Sequence, residues 1–246
     1  MSNGTKTTGK KRGNLAQAAT LREKVQSKEN KIIRAAYEIF VARGYAKTTI
    51  SDVASKAEVA EGTVYLYFNN KHALAVAVLA AFYQRLTAGA RHGVASRAST
   101  EDRLSFLAEH HLQTIIKERR LMEMLASLDR DIDNYEGSEI YKMNRAYVAV
   151  FDRVLRDGVE RDDIDGSISQ WVLRDMFFGA LDYAMRTMLI KKSRRNSIDQ
   201  VVSDLVRMIV ISDREAAMTM DKRLSNAAMR IERAAARMEK IASVTK

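Results

Sequence analysis

The stretch Thr49-Ile50-Ser51-Asp52-Val53-Ala54-Ser55-Lys56-Ala57-Glu58-Val59-Ala60-Glu61-Gly62-Thr63-Val64-Tyr65-Leu66-Tyr67-Phe68-Asn69-Asn70-Lys71 decides how the chain folds. Ile50, Val53, Ala54 and Ala57 recur at the spacing of one helix face, and Thr49 stands at an N-cap, which predicts a short helix over about 49–57. Glu58, Val59 and Ala60 break that pattern. A second helix is expected from Glu61 to Phe68, with Val59, Val64 and Phe68 turned in on Ile39 and Phe40 of a preceding helix at about 28–43 that Gly44 ends. Outward on the second helix remain Gly62, Thr63, Tyr65 and Tyr67, and Lys71 opens the next. A residue that lets a backbone approach, three hydroxyls, amide donors and a lysine charge are the groups that phosphates and base edges accept.

Working outward, Gly44-Tyr45-Ala46-Lys47-Thr48-Thr49-Ile50-Ser51-Asp52-Val53-Ala54, then Gly62-Thr63-Val64-Tyr65-Leu66-Tyr67-Phe68 and Lys71, resemble the TetR family of transcriptional regulators over roughly 28–75. The resemblance implies a DNA-binding helix-turn-helix followed by a helical ligand-binding and dimerisation body. It further implies that Thr49 and Lys71 meet phosphates, that Thr48 also belongs to the DNA-binding set, and that Gly62, Thr63, Tyr65 and Tyr67 face DNA along the recognition helix. Two positions depart from the family pattern: Glu58 stands where the turn usually has glycine, and Ala60 where serine often opens the recognition helix. The missing cap at Ala60 costs about 1 kcal/mol, and Glu61 in the first turn offsets part of this through the helix dipole. Taken singly, Tyr65, Tyr67 and Lys71 would be ordinary amphipathic or solvated residues. Their joint arrangement carries the DNA-binding reading.

The chain has 246 residues and no proline, where average usage of roughly 5% would place about a dozen. Helix can therefore run almost throughout, and the expected class is all-α. The expected division is a basic disordered arm over 1–27, the helix-turn-helix domain over 28–72, a ligand-binding and dimerisation domain over 73–213, and a helical extension over 214–246. Seven of the lysines and arginines lie within residues 1–28 against Glu23 alone, so most of the net charge of +10 sits at this end. Beside a helix-turn-helix such an arm can follow phosphates or enter the minor groove, or it can serve solubility alone. Cysteine is absent, which removes disulfides and thiolate chemistry. No apolar run is read as long enough to cross a membrane and the polar start is no signal peptide, so a cytoplasmic protein without a membrane partner is expected.

Beyond Lys71, helices are expected at 73–87, after the Ser99/Asp102 cap, and at about 119–131, 136–158, 167–190 and 198–213. By the resemblance the last two make the homodimer. Phe106, His110, Met122, Tyr141, Phe151, Trp171 and Phe178 belong to a reserve of aromatic and adaptable side chains suited to an apolar pocket, although at helical spacing such residues are also plain core. Val59 to Phe68 together with Phe177-Phe178-Gly179-Ala180-Leu181-Asp182 is similar to the FadR-type branch. That similarity implies a long-chain acyl-CoA effector and control of fatty-acid degradation. A drug-responsive efflux repressor and a constitutive architectural protein remain open alternatives. Lys191, Lys192, Arg194 and Arg195 could meet CoA phosphates. Leu224, Ala228, Ile231, Ala235, Met238 and Ala242 alternate by four and three, as a coiled-coil seam does.

Enzyme chemistry is not expected. The glycines are read as forming neither G-x-G-x-x-G nor the phosphate loop G-x-x-x-x-G-K. Adjacent His110 and His111 point to different sides of a helix, and Asp129, Asp131 and Asp133 lack the glycine and glutamate of a calcium loop, since Asn134 and Ile140 occupy those places. No metal or cofactor is called for. The expected partners are an operator duplex, a small effector and a second copy of the chain.

Overall fold

With no proline to interrupt it, the backbone runs as helix wherever an apolar stripe recurs. The computed structural model describes residues 7–128, 136–191, 197–211 and 229, and among them nine helices: α1 (Thr7–Arg43), α2 (Ile50–Lys56), α3 (Glu61–Tyr67), α4 (Lys71–Ala95), α5 (Thr100–Lys117), α6 (Arg119–Leu128), α7 (Glu139–Glu160), α8 (Gln170–Lys191) and α9 (Ile198–Ile209). The one extended pairing among the described residues is an isolated antiparallel bridge, Ile164 to Val210. The class is all-α, as expected.

Three elements differ from expectation. First, α1 begins at Thr7, so part of the arm expected to be disordered is helical. Leu15, Ala16, Ala18, Ala19 and Leu21 are strong helix formers that outweigh the polar residues before them. Second, α4 continues to Ala95 instead of stopping near 87, because Gly89 and Gly93 are occupied by neighbouring rings and do not act as stops. Third, α4 satisfies the length and composition of a membrane span, with a mean hydropathy of 1.4, which corrects the reading that no segment does. Its Leu74, Ala75, Val78, Leu79, Phe82 and Leu86 are buried in protein, as befits a core helix. The 214–246 extension and the Asp129 to Asp133 cluster lie outside the described residues, Met229 excepted.

The chain divides into two compact units, Met1–Ala88 with Ile115–Tyr147, and Gly89–Thr114 with Val148–Lys246. In the first, Ile32, Ala36 and Phe40 of α1, Val53 of α2, Val64 of α3 and Leu74 of α4 are buried, and α2 packs on both α1 and α3. Each large side chain so buried contributes about 1.5–3 kcal/mol. Tyr37 Oη donates to Glu118 Oε2 at 2.7 Å, fastening α1 to the residue before α6. In the second unit Leu104, Leu112, Phe151, Leu155, Phe177 and Leu181 form the core. Ser99 caps α5, its hydroxyl accepting from Asp102 N at 3.0 Å.

Candidate functional site

Gly44, at φ +84°, ends α1 in the left-handed conformation that glycine adopts without strain, and its amide donates to Phe40 O at 2.9 Å. The chain then turns through Tyr45–Thr48 into α2. Thr49 caps α2 in a reciprocal box: Thr49 Oγ1 accepts from Asp52 N, and Asp52 Oδ2 accepts from Thr49 N at 2.9 Å and from Thr49 Oγ1 at 2.7 Å. These hydrogen bonds, with Arg43 nearby, hold the Asp52 carboxyl below its usual range. Lys56 reaches back to Glu38 of α1 at 3.1 Å.

The turn from α2 to α3 bends at Glu58, which takes φ +53°. The position where the family turn usually has glycine thus takes the left-handed conformation that glycine adopts most easily. Lys31 Nζ binds Glu58 Oε2 at 2.7 Å, and this contact lowers the Glu58 pKa. Ala60 begins α3 with no side-chain cap, as its methyl dictates.

The seven residues expected at DNA fall into two sets. On α3, Gly62 is exposed and a Cβ built there meets nothing within 4 Å. Tyr65 is 48% exposed, and Thr63 and Tyr67 are half-buried. The sequence reading missed Leu66, which at 83% exposure is the most open large apolar side chain described here. Its place between two tyrosines disguised it as a core position. Lys47 and Arg43 are exposed on the approach to α2 and were also passed over.

The second set turns inward. Thr48 is buried and its hydroxyl donates to Gly44 O at 2.8 Å, so it has no face for a phosphate. The Thr49 hydroxyl proton goes to Asp52. Lys71 Nζ spends its three donors on Tyr45 O (3.0 Å), Ala46 O (3.3 Å) and Thr48 O (3.0 Å), and lies 4.5 Å from the Tyr45 ring centroid. The ammonium closes the α1–α2 loop onto the start of α4, where Asn70 Oδ1 accepts from Ala73 N. Thr48, Thr49 and Lys71 thus brace the loop ahead of the recognition helix, with Thr49 still exposed. What Lys71 offers outward is the amide end of α4 and the field of its charge.

The expected pocket residues also separate. Met122 and Tyr141 belong to the first unit and the other five to the second. There Phe106 and His110 stack at 5.4 Å, and they rest on glycines of α4. A Cβ on Gly93 would come 1.9 Å from Phe106 Cζ, and one on Gly89 would come 2.8 Å from His110 Cε1. Only glycine admits these rings. The Arg97 guanidinium covers Phe106 from 4.0 Å. Phe151 stacks on Phe177 at 4.4 Å and meets Phe178 edge-on, and Phe178 meets His111, whose Nε2 lies 3.5 Å from Asp182 Oδ1. Trp171 is 60% exposed, in contrast to the buried Phe151. It stands with Met176, Tyr183 and Met208 among the exposed apolar residues of α8 and α9.

Gly4-Thr5-Lys6-Thr7-Thr8-Gly9-Lys10 does carry the spacing G-x-x-x-x-G-K, against the reading that no glycines do. Lys11 replaces the hydroxyl residue that a phosphate loop needs for its metal, and Thr7 to Lys10 are helical, so the match is one of spacing alone. No group of three metal-ligating side chains occurs among the described residues. Lys192, Arg194 and Arg195 lie outside them.

Residues 32–78 match the family model of bacterial regulatory proteins of the tetR family, and residues 82–212 match that of the C-terminal region of YsiA-like proteins. The chain is 23% identical over 182 residues to the fatty acid metabolism regulator protein of Bacillus subtilis, covering 74% of this chain and 92% of that one. It is 27% identical over 158 residues to the HTH-type transcriptional repressor KstR2 of Mycobacterium tuberculosis, covering 61% and 78%. The solved structure of the transcriptional regulator FadR from Bacillus subtilis in complex with stearoyl-CoA superposes with a TM-score of 0.63 at 22% identity, covering 73% of this chain and 98% of that one. At that identity the superposition speaks for a shared fold.

Proposed function

This chain belongs to the tetR family of bacterial regulatory proteins, and we propose that within it the protein is a cytoplasmic, homodimeric repressor that grips a palindromic operator through α3 and releases it when a long-chain acyl-CoA binds the second unit. The observation that carries this reading is the extent of the likeness to the Bacillus subtilis fatty acid metabolism regulator, which spans 92% of that protein and so takes in its body as well as its DNA-binding end.

On DNA, Gly62 lets the backbone near the duplex, and Thr63, Tyr65 and Tyr67 supply hydroxyls to phosphates and base edges. Leu66 presents an apolar surface suited to a thymine methyl. The rigid loop that Lys71 and the Thr49–Asp52 box hold sets the angle at which α3 enters the groove. Trp171, Met176, Tyr183 and Met208 meet their counterparts in a second copy. Dimerisation then holds two α3 helices one helical turn of DNA apart, about 34–36 Å.

In the second unit, an acyl chain finds aromatic walls in Phe106, Phe151 and Phe178, with the His110 edge as a polar neighbour. α4 is one continuous helix, so a displacement of its Gly89–Ala95 turns, on which Phe106 and His110 rest, is carried along its backbone towards Lys71. An acyl-CoA that binds the displaced arrangement more tightly shifts the population away from the DNA-competent spacing. Native mass spectrometry of the protein mixed with stearoyl-CoA tests the reading. A dimer that retains stearoyl-CoA in preference to CoA is expected. A monomer, or a dimer that takes CoA and stearoyl-CoA alike, contradicts it.

A further inference from the structure

The end of α9 is fastened to the turn between α7 and α8. Val210 pairs with Ile164, and Ile211 N donates to Asp163 O at 2.8 Å. Against the same turn opens an apolar cleft of about 360 Å³, walled by Leu155, Val159, Ile168 and Leu173 and edged by Arg156 and Glu160. Val159 and Ile168 remain 38% and 44% exposed on its rim. This cleft is separate from the aromatic residues around Phe151 and Phe178, and none of them lines it.

The described body ends at Ile211, residues 212–246 follow in the sequence, and the family match ends at 212. Their apolar residues follow a four-and-three alternation through Leu224, Ala228 and Ile231, a stripe that needs a surface to cover it. The segment carries eight lysines and arginines against five acidic residues. The turn it leaves is acidic, with Glu160, Asp162, Asp163 and Asp165 close together in sequence. Position of exit, apolar match and charge agree on one occupant.

We propose that the cleft between α7 and α8 is the docking site of the chain's own C-terminal segment, with the Leu224–Ile231 stripe laid over Val159 and Ile168 of the same protomer. From Ile211 to Leu224 the backbone spans about 20 Å even if wholly helical, at roughly 1.5 Å per residue, which is room enough to turn back over the cleft. Docking there shields an apolar rim from water and braces the start of α8. It binds a segment that the family pattern lacks to the part of the body from which it departs.

The chain has no cysteine, so a pair introduced by mutation reports one distance without background. In the full-length protein carrying Ile168→Cys and Leu224→Cys, a short bismaleimide is expected to link the two cysteines within one chain, leaving the monomer mass on a denaturing gel and yielding a single cross-linked peptide pair. A link that joins two chains assigns the segment to the partner's cleft and overturns the proposal, and so does the absence of any link. A second readout spares Ile168. With Leu224→Asp and Ile231→Asp in the full chain, amide exchange over 155–173 is expected to quicken several-fold. Unchanged exchange there contradicts docking.

Discussion

α3 and the α8–α9 pair both hold large apolar side chains in water, yet they do so on different scales. α3 is seven residues long, and its outward side chains, Tyr65 and Leu66 above all, are flanked by hydroxyls and by an open glycine. α8 and α9 expose Trp171 (60%), Tyr183 (74%) and Met208 (71%) over helices of 22 and 12 residues. A short, polar-tipped surface suits a wet and reversible contact such as a DNA groove. A broad one rich in aromatic and methionine side chains suits a lasting protein contact. The backing differs too. Behind α3 lie directed bonds: Lys71 to three carbonyls and the Thr49–Asp52 box. Behind α8 lies packing, with Phe177 and Leu181 in the core, and directed contacts that include Arg174 to Asp152 at 3.1 Å and Gln170 Nε2 to Asp152 O at 2.6 Å.

The sharpest way to break this contrast is to charge the broad face. Tyr183→Glu with Met208→Glu is expected to turn the dimer into monomer in sedimentation velocity, and to weaken operator binding about 100-fold or more as two-point attachment is lost. A persisting dimer would refute the assignment of α8 and α9. On the narrow face, Tyr65→Ala should weaken operator binding about tenfold or more while leaving the thermal midpoint in place, because the ring packs against little.

Lys71→Met separates bracing from DNA contact. It takes one donor from each of three carbonyls, of which Tyr45 O keeps the Thr48 amide, and is expected to cost about 1–3 kcal/mol in denaturant unfolding. The slope of log affinity against log salt should stay unchanged, whereas loss of a true phosphate contact would reduce it by about 0.9.

Tyr37 gives a pH test within the first unit. Burial, and then the hydrogen bond to Glu118, pushes its phenol up to about 12 from 10.0. The protonated form is thus favoured in the fold, and its contribution is complete below pH 10 and lost as pH rises through 12. Tyr37→Phe should flatten the alkaline stability profile in that window alone. The smallest effect expected is at the turn: Glu58→Gly relieves the left-handed backbone but gives up the Lys31 contact, for a slight net rise in thermal midpoint.

The narrow face was far more legible in the sequence than the body. Capping, the α2 apolar spacing and the glycine-like turn at Glu58 are local features, written in residues that lie within a turn or two of one another. The bracing by Lys71 was not legible because its partners, the Tyr45, Ala46 and Thr48 carbonyls, are backbone atoms 23 to 26 positions away, and no side-chain pattern announces them. Leu66 was passed over because alternation between aromatic neighbours looks like core. In the body, the helix expected over 73–87 runs on through Gly89 and Gly93, because Phe106 and His110 from a distant part of the sequence lie on them. The exposure of Trp171 was not legible, since composition alone cannot tell an inward face from an outward one. Thr7 to Gln26 read as an arm because charge drew the eye from its leucines and alanines.

The most direct test of the central claim is a titration of stearoyl-CoA into the full-length dimer bound to a fluorescent operator selected from a random duplex pool. The account predicts that anisotropy falls to the value of free DNA, that CoA alone leaves it unchanged, and that the dimer survives the release. Anisotropy that holds steady under saturating stearoyl-CoA, while Tyr65→Ala still weakens binding, would keep the DNA-binding surface and contradict acyl-CoA as the signal that frees it.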